Sequence, residues 1–283
     1  MKESIIDVKS YITKSKLPGS DYVINPYIGC PHACKYCYAS FMRRFTGHKE
    51  NWGEFLDIKK CDEKINKSNL SGENIFMSSV TDCYNKFEEK YCITKNILLQ
   101  LVDTNCNLQI STKSSLALRD LEILKTFKHL KVALSINTLD EQFKNDMDKA
   151  DSIECRLKAL KTLHENGIYT VLFMSPIFPE ITECERIIDI SKEYVDEYWL
   201  ENLNLRNPYK RTILKYIANR YPQHSQLYTD IYINSDNSYW NMLATKLDDY
   251  CTRNSIKHTN YFHHGSPSKQ AFTSRKKKKK IKL

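Results

Sequence analysis

The chain has 283 residues, 41% of them hydrophobic, enough to bury one barrel-sized core or two smaller ones. Its net charge of +9 suggests a nucleic-acid partner until the charge is located, because Lys269, Arg275, Lys276 to Lys280 and Lys282 are eight positives with no acid among them. The rest holds 35 basic residues against 34 acidic ones, so the body gives no global charge argument for nucleic acid.

Met1 to Asp7 sets acidic Glu3 and Asp7 beside Ile5-Ile6 and lacks the long apolar stretch of a signal peptide; no later segment reads as a bilayer span. A soluble, cytoplasmic protein without a membrane partner is expected. Ten cysteines in a chain of this size point to reduced thiols and metal ligation rather than a disulfide scaffold.

In chain order, residues 1–20 read as an N-terminal extension, and Tyr22 to Ile28 supplies a first strand. From residue 74 short apolar runs alternate with helical patterns: Ile75-Phe-Met, Leu108-Gln-Ile, Val132-Ala-Leu, Tyr169-Thr-Val-Leu-Phe-Met and Tyr198-Trp-Leu. That rhythm predicts repeated strand-helix units and a parallel sheet. The clearest helix starts at Ser152, carries Ile153, Leu157, Leu160 and Leu163 on one face and stops at Gly167. Others are expected near Thr94 to Thr104, Arg119 to Phe127 and Thr182 to Tyr194.

Six such strands curl into a full or partial barrel with helices outside, an open doubly wound sheet being the alternative. The core therefore runs from 21 to 206. Residues 207–264 form a C-terminal extension, with helices near Tyr209 to Arg220 and Asn237 to Thr252. Residues 265–283 form a basic tail, read as disordered and solvated, with contact to nucleic acid or another polyanion as the alternative.

Cys30-Pro-His-Ala-Cys34-Lys-Tyr-Cys37 places three thiols within eight residues, on a loop opened by Gly29 and Pro31 and running into a predicted helix from Tyr38. Three soft ligands on one tight loop suit an iron-sulfur cluster or zinc. Structural zinc wants a fourth ligand, from His32 or a distant thiol such as Cys61. In a cubane cluster, three ligands leave one iron open to bind a small molecule and pass it an electron. The remaining seven cysteines read mostly as packing or surface thiols.

The C-x3-C-x2-C spacing, with aromatic Tyr36 before the last cysteine, is the radical S-adenosylmethionine (radical SAM) signature. Across Asp21 to Arg206 the chain resembles the radical SAM proteins grouped with spore photoproduct lyase. The resemblance is carried by Asn25-Pro-Tyr-Ile-Gly-Cys30, Cys37-Tyr-Ala, Ser79-Val-Thr-Asp82, Thr112-Lys-Ser114 and Arg119-Asp120. Ser135-Ile-Asn-Thr138, Arg156-Leu157 and Ser175-Pro-Ile177 continue it in order.

The resemblance implies an α/β fold, a partial (β/α)6 TIM-type barrel with a [4Fe-4S] cluster on Cys30, Cys34 and Cys37 and SAM at the carboxyl ends of the strands. It places Ser78 and Ser79 near the SAM amino group, Lys113 and Ser135 near its carboxylate and ribose, and Tyr36 beside the adenine. Asn137 joins the polar groups that end the fourth core strand. The ordinary alternatives are helix caps for the serines, a surface lysine at 113 and a core tyrosine at 36.

The implied reaction is reductive cleavage of SAM to a 5′-deoxyadenosyl radical that abstracts hydrogen from a substrate. The electron comes from a donor such as flavodoxin or ferredoxin, and a modified nucleobase and a peptide are substrate candidates of similar weight, the basic tail slightly favouring nucleic acid. The chain departs from spore photoproduct lyase in placing Ser79 where that enzyme has its hydrogen-donor cysteine, with Cys83 four residues on as the candidate substitute. Met147 stands where relatives often carry an acid, so the DNA-repair activity is not transferred. Two rival readings remain: an iron-sulfur electron-transfer module, and a zinc-stabilised nucleic-acid-binding protein that uses the tail and tyrosines.

Overall fold

A computed structural model describes residues 1–206 and 209–262. The lysine-rich tail expected over 265–283 lies outside the described residues. The segment expected as an N-terminal extension is woven into the fold as β1 (Lys2–Asp7) and β2 (Ile12–Lys14). The single strand expected over Tyr22 to Ile28 divides into β3 (Tyr22–Ile24) and β4 (Tyr27–Ile28), broken at Asn25-Pro26, where proline has no N–H to give a ladder. β5 (Phe55–Lys60) takes β1 in parallel and β4 antiparallel into a three-stranded sheet.

Five strands follow the predicted rhythm, β6 (Asn74–Met77), β7 (Asn107–Thr112), β8 (Leu130–Ser135), β9 (Tyr169–Ile177) and β10 (Glu197–Asn202); the short β11 (His258–Asn260) is not among those expected and lies in the C-terminal extension. β3, β6, β7, β8, β9 and β10 lie side by side in chain order, all parallel. Antiparallel β2 borders β3, and β11 runs parallel beside β10, so the described sheet is an open, partial barrel.

Its helices are α1 (Glu88–Tyr91), α2 (Ile93–Leu101), α3 (Leu121–Leu124), α4 (Glu141–Met147), α5 (Ile153–Glu165), α6 (Cys184–Ser191), α7 (Tyr209–Arg220), α8 (Ser225–Tyr232) and α9 (Ser238–Arg253). α5 follows its sequence closely: the Ser152 hydroxyl accepts from the Cys155 N–H at 3.1 Å, Ile153, Leu160 and Leu163 are buried, and Gly167 takes φ +77°. α2 likewise buries Ile97, Leu98 and Leu101.

The helix expected over Arg119 to Phe127 is reduced to the 3-10 turn Ser115–Asp120 and α3. Its first residues are held otherwise, with the Ser114 hydroxyl accepting from Leu116 N–H and the Arg119 guanidinium bonded to Asp120 and Glu88. One continuous apolar core runs from β3 through the barrel strands to α7, α8 and α9. No described helix is long and apolar enough to cross a membrane.

Candidate functional site

The cysteine loop begins where β4 ends and is pressed against β5. Gly29 takes φ +91°, and a Cβ there would lie 2.4 Å from the Phe55 carbonyl oxygen, so only glycine fits. Ala33 N–H donates to the Cys30 carbonyl at 3.2 Å and Cys37 N–H to the Cys34 carbonyl at 3.1 Å, folding the loop into two successive turns. From the other side Gly53 closes on it, its absent Cβ falling 2.5 Å from that of Ala33.

Cys30 is 8% exposed, and Cys34 and Cys37 are half-buried. Burial pushes all three thiols above the ordinary cysteine range, with Asp82 adding to the rise at Cys30 and Asp148 at Cys34. Three thiolates would repel here unless a metal centre neutralised them. Among the described residues no three His, Cys, Asp or Glu side chains gather about one point as a single-ion site requires.

The carboxyl ends of β6 and β7 meet the loop through Asp82. One of its oxygens lies 3.0 Å from His32 Nε2 and accepts from Lys113 N–H at 2.7 Å; the other accepts from the Thr112 hydroxyl at 2.7 Å. Burial alone would raise the Asp82 pKa, but His32 and these donors outweigh it and hold the carboxyl below its usual range.

Lys113 reaches inward rather than out. Its ammonium is buried without a hydrogen-bond partner and sits 5.4 Å from the centroid of the Tyr36 ring. Tyr36 packs edge-on to Phe178 and donates its phenol to Asp148 at 3.0 Å. Asp148 also accepts from Arg156 at 3.0 Å and Ala150 N–H at 3.1 Å. Burial pushes this carboxyl up, yet Lys113 and Arg156 more than offset that and keep it low. Asp148 thus provides a buried acid one residue after Met147.

The other expected residues divide. Ser78 takes φ +80° and its hydroxyl accepts from Cys83 N–H; the Ser79 hydroxyl accepts from the Asn25 amide at 2.8 Å, and its carbonyl takes the Tyr38 phenol. Ser135 is buried, with its carbonyl bonded to Arg156. The Asn137 amide is committed to the Pro176 carbonyl at 2.9 Å. Cys83 is enclosed in the core at 0% exposure, which leaves its thiol no exposed face to offer a substrate.

Sequence reasoning did not single out His32 as the partner of Asp82, nor the Asp148-Arg156 pair, nor Trp52. Among the described residues four buried side-chain polar atoms lack a partner: Lys113 Nζ, Ser40 Oγ, Trp52 Nε1 and Tyr84 OH. The first three belong to residues on or against the cysteine loop, where unfilled donors mark room for an absent group.

The carboxyl edge of the partial barrel thus collects three thiols, buried charges and unfilled donors, the edge at which such barrels carry their sites. The chain belongs to the Radical SAM superfamily, whose family model matches residues 24–191. That superfamily couples SAM to radical chemistry. An uncharacterised protein of Methanocaldococcus jannaschii is 40% identical over 220 residues, 77% of this chain and 83% of the relative. An uncharacterised Acidianus two-tailed virus protein is 31% identical over 56% of each chain.

Spore photoproduct lyase complexed with dinucleoside spore photoproduct shares the fold, with TM-score 0.57, 17% identity and coverage of 78% of this chain and 66% of that one. Streptococcus suis SuiB bound to S-adenosylmethionine matches with TM-score 0.55, 15% identity and coverage of 86% and 50%. This chain therefore spans under two thirds of the length of either enzyme.

Proposed function

We propose that Cys30, Cys34 and Cys37 hold a [4Fe-4S] cluster whose open iron takes S-adenosylmethionine, making the chain a radical SAM enzyme. When bound, the pair supplies a 5′-deoxyadenosyl radical able to remove hydrogen from an unactivated carbon. The observation that carries this reading is the Lys113 ammonium, buried and unpartnered beside the cysteine loop, where a carboxylate would complete it.

In this reading Lys113 holds the SAM carboxylate and Ser135 lies by the ribose, while Ser78 and Ser79 border the amino group and Tyr36 closes the adenine side. Asn137 orients the rim by tying β8 to the β9 end through Pro176. His32 and Asp82 lock the cysteine loop to the strand ends, so that ligand and cluster share one rigid frame. Asp148 and Arg156 anchor Tyr36 from below.

The substrate class is a nucleobase or a peptide. A neighbour holding a dinucleoside supports the first, and SuiB bound to its precursor peptide SuiA supports the second. Electrons come from a carrier such as flavodoxin or ferredoxin in the cytoplasm.

The test is anaerobic reconstitution with iron and sulfide, then dithionite and SAM, scoring 5′-deoxyadenosine by chromatography against the Cys30, Cys34, Cys37 triple-alanine variant. Deoxyadenosine from the wild-type chain alone is the expected result. A stable cluster that binds no SAM in calorimetry would sink the enzyme reading and leave an electron-transfer module.

A further inference from the structure

Two of the unfilled polar atoms lie beside one ligand, Cys37. Ser40 follows it by three residues, and its N–H donates to the Cys37 carbonyl at 3.3 Å. Trp52 comes from the segment before β5, and its place is fixed on two sides. Its ring packs edge-on to Phe55, with centroids 5.8 Å apart and planes at 85°. The next residue, Gly53, lies so close to Ala33 that no side chain fits between them.

Held against Phe55 and next to the Gly53–Ala33 contact, the indole belongs to the wall of the cysteine loop, and its N–H is among the groups that act on the Cys37 thiol. It is buried from solvent and reaches hydrogen-bonding geometry with no acceptor among the described groups. An indole N–H can only donate, and a protonated thiol is a weak acceptor. A metal-bound thiolate or a cluster sulfide is a much better one.

We propose that Trp52 is the hydrogen-bond donor to the sulfur shell of the cluster on the Cys37 side, and that this bond raises the potential at which the cluster accepts its electron. The inference rests on the cluster reading above. The physical reason is charge: reduction places an additional electron on the iron-sulfur unit, and an N–H dipole aimed at its sulfur stabilises the more negative state. In this account Trp52 touches the cluster's sulfur shell and neither SAM nor substrate.

The experiment uses the full chain, reconstituted anaerobically, as wild type and as Trp52→Phe, which keeps an aromatic ring against Phe55 while removing the N–H along with the indole's second ring. Iron and sulfide content are measured first, then the midpoint potential by a redox titration followed by electron paramagnetic resonance. The expected result is full iron content with a midpoint shifted to more negative potential, and loss of one exchangeable-proton coupling in pulsed spectra taken in H2O and D2O. Equal midpoints and equal proton couplings at equal iron content would overturn the proposal.

If Trp52→Phe folds poorly or loses iron, the wild-type chain labelled with 15N at the indole nitrogens decides. A nitrogen coupling to the reduced cluster supports the bond, and its absence refutes it. If the wild-type chain assembles no cluster, the proposed function itself fails and this inference falls with it.

Discussion

Two buried polar clusters occupy the same barrel and differ in how far their hydrogen bonds are satisfied. Around Glu88, which is fully buried, the Tyr27 phenol, the Thr94 N–H at 2.9 Å and Arg119 at 2.8 Å all donate to one carboxylate. Arg119 spends its remaining donors on Asp120, at 2.7 and 2.9 Å, and on the Glu88 carbonyl. Around the cysteine loop, by contrast, Lys113 Nζ, Trp52 Nε1 and Ser40 Oγ have no partner. The Glu88 carboxylate is fully partnered, with only the Tyr84 hydroxyl near it left without a hydrogen bond, whereas three unpartnered atoms gather at the cysteine loop.

Substitution at the two cations should therefore differ sharply in size in the metal-free chain. Arg119→Ala leaves Glu88 and Asp120 charged, buried and unpaired, and should destabilise folding by about 3–5 kcal/mol in urea titrations. Lys113→Met removes a buried ammonium that makes no hydrogen bond but attracts Asp148, two effects that oppose each other, and should move the urea midpoint far less. An equally large loss in Lys113→Met would erase the contrast. The same variant should weaken SAM binding to the reconstituted protein at least about tenfold, or ~1.4 kcal/mol by calorimetry, with iron content unchanged.

Acid should expose the charges that the cysteine side holds. Asp82 and Asp148 both have folded pKa values depressed below their unfolded ones. Their contribution to stability is complete above the unfolded carboxylate value of about 4 and is lost as pH falls through the folded values. Urea midpoints from pH 6 to 2 should fall along that limb. The fall should be shallower in Lys113→Met, because one of the two cations that depress Asp148 is gone. The smallest effect belongs to Tyr36→Phe: Asp148 keeps Arg156 and Ala150 N–H, so the loss should be about 1 kcal/mol, read from the same titrations.

Features written in local period were legible before any coordinates. The barrel strands announce themselves as apolar runs, and α5 carries its cap, its buried face and its terminating glycine between Ser152 and Gly167. The N-terminal sheet was not legible, because β1 is partly exposed and pairs with β5 about fifty residues away. α8 buries only Tyr228 and Ile231, too few positions to show a helical period against its polar neighbours.

At the site, the three cysteines were legible from spacing, and Lys113 from its place at a strand end. The His32-Asp82 and Asp148-Arg156 pairs were not, since nothing in a local pattern tells a buried ion pair from two surface charges. Asn137 was singled out as a polar group at a strand end, and the structure gives its amide a backbone partner instead.

The Lys113 ammonium has one more consequence, for which ligands the site favours. Folding has already stripped this cation of water, so the cost of dehydrating it does not fall on the binding step. An arriving anion gains attraction in a medium of low polarisability without rearranging the wall around it, which is electrostatic preorganisation. A ligand with the same shape but no negative group would be disfavoured, because it would enclose the same bare charge and give it nothing. In the proposed reading, Lys113 would thus sort ligands by their ionisation before any chemistry begins.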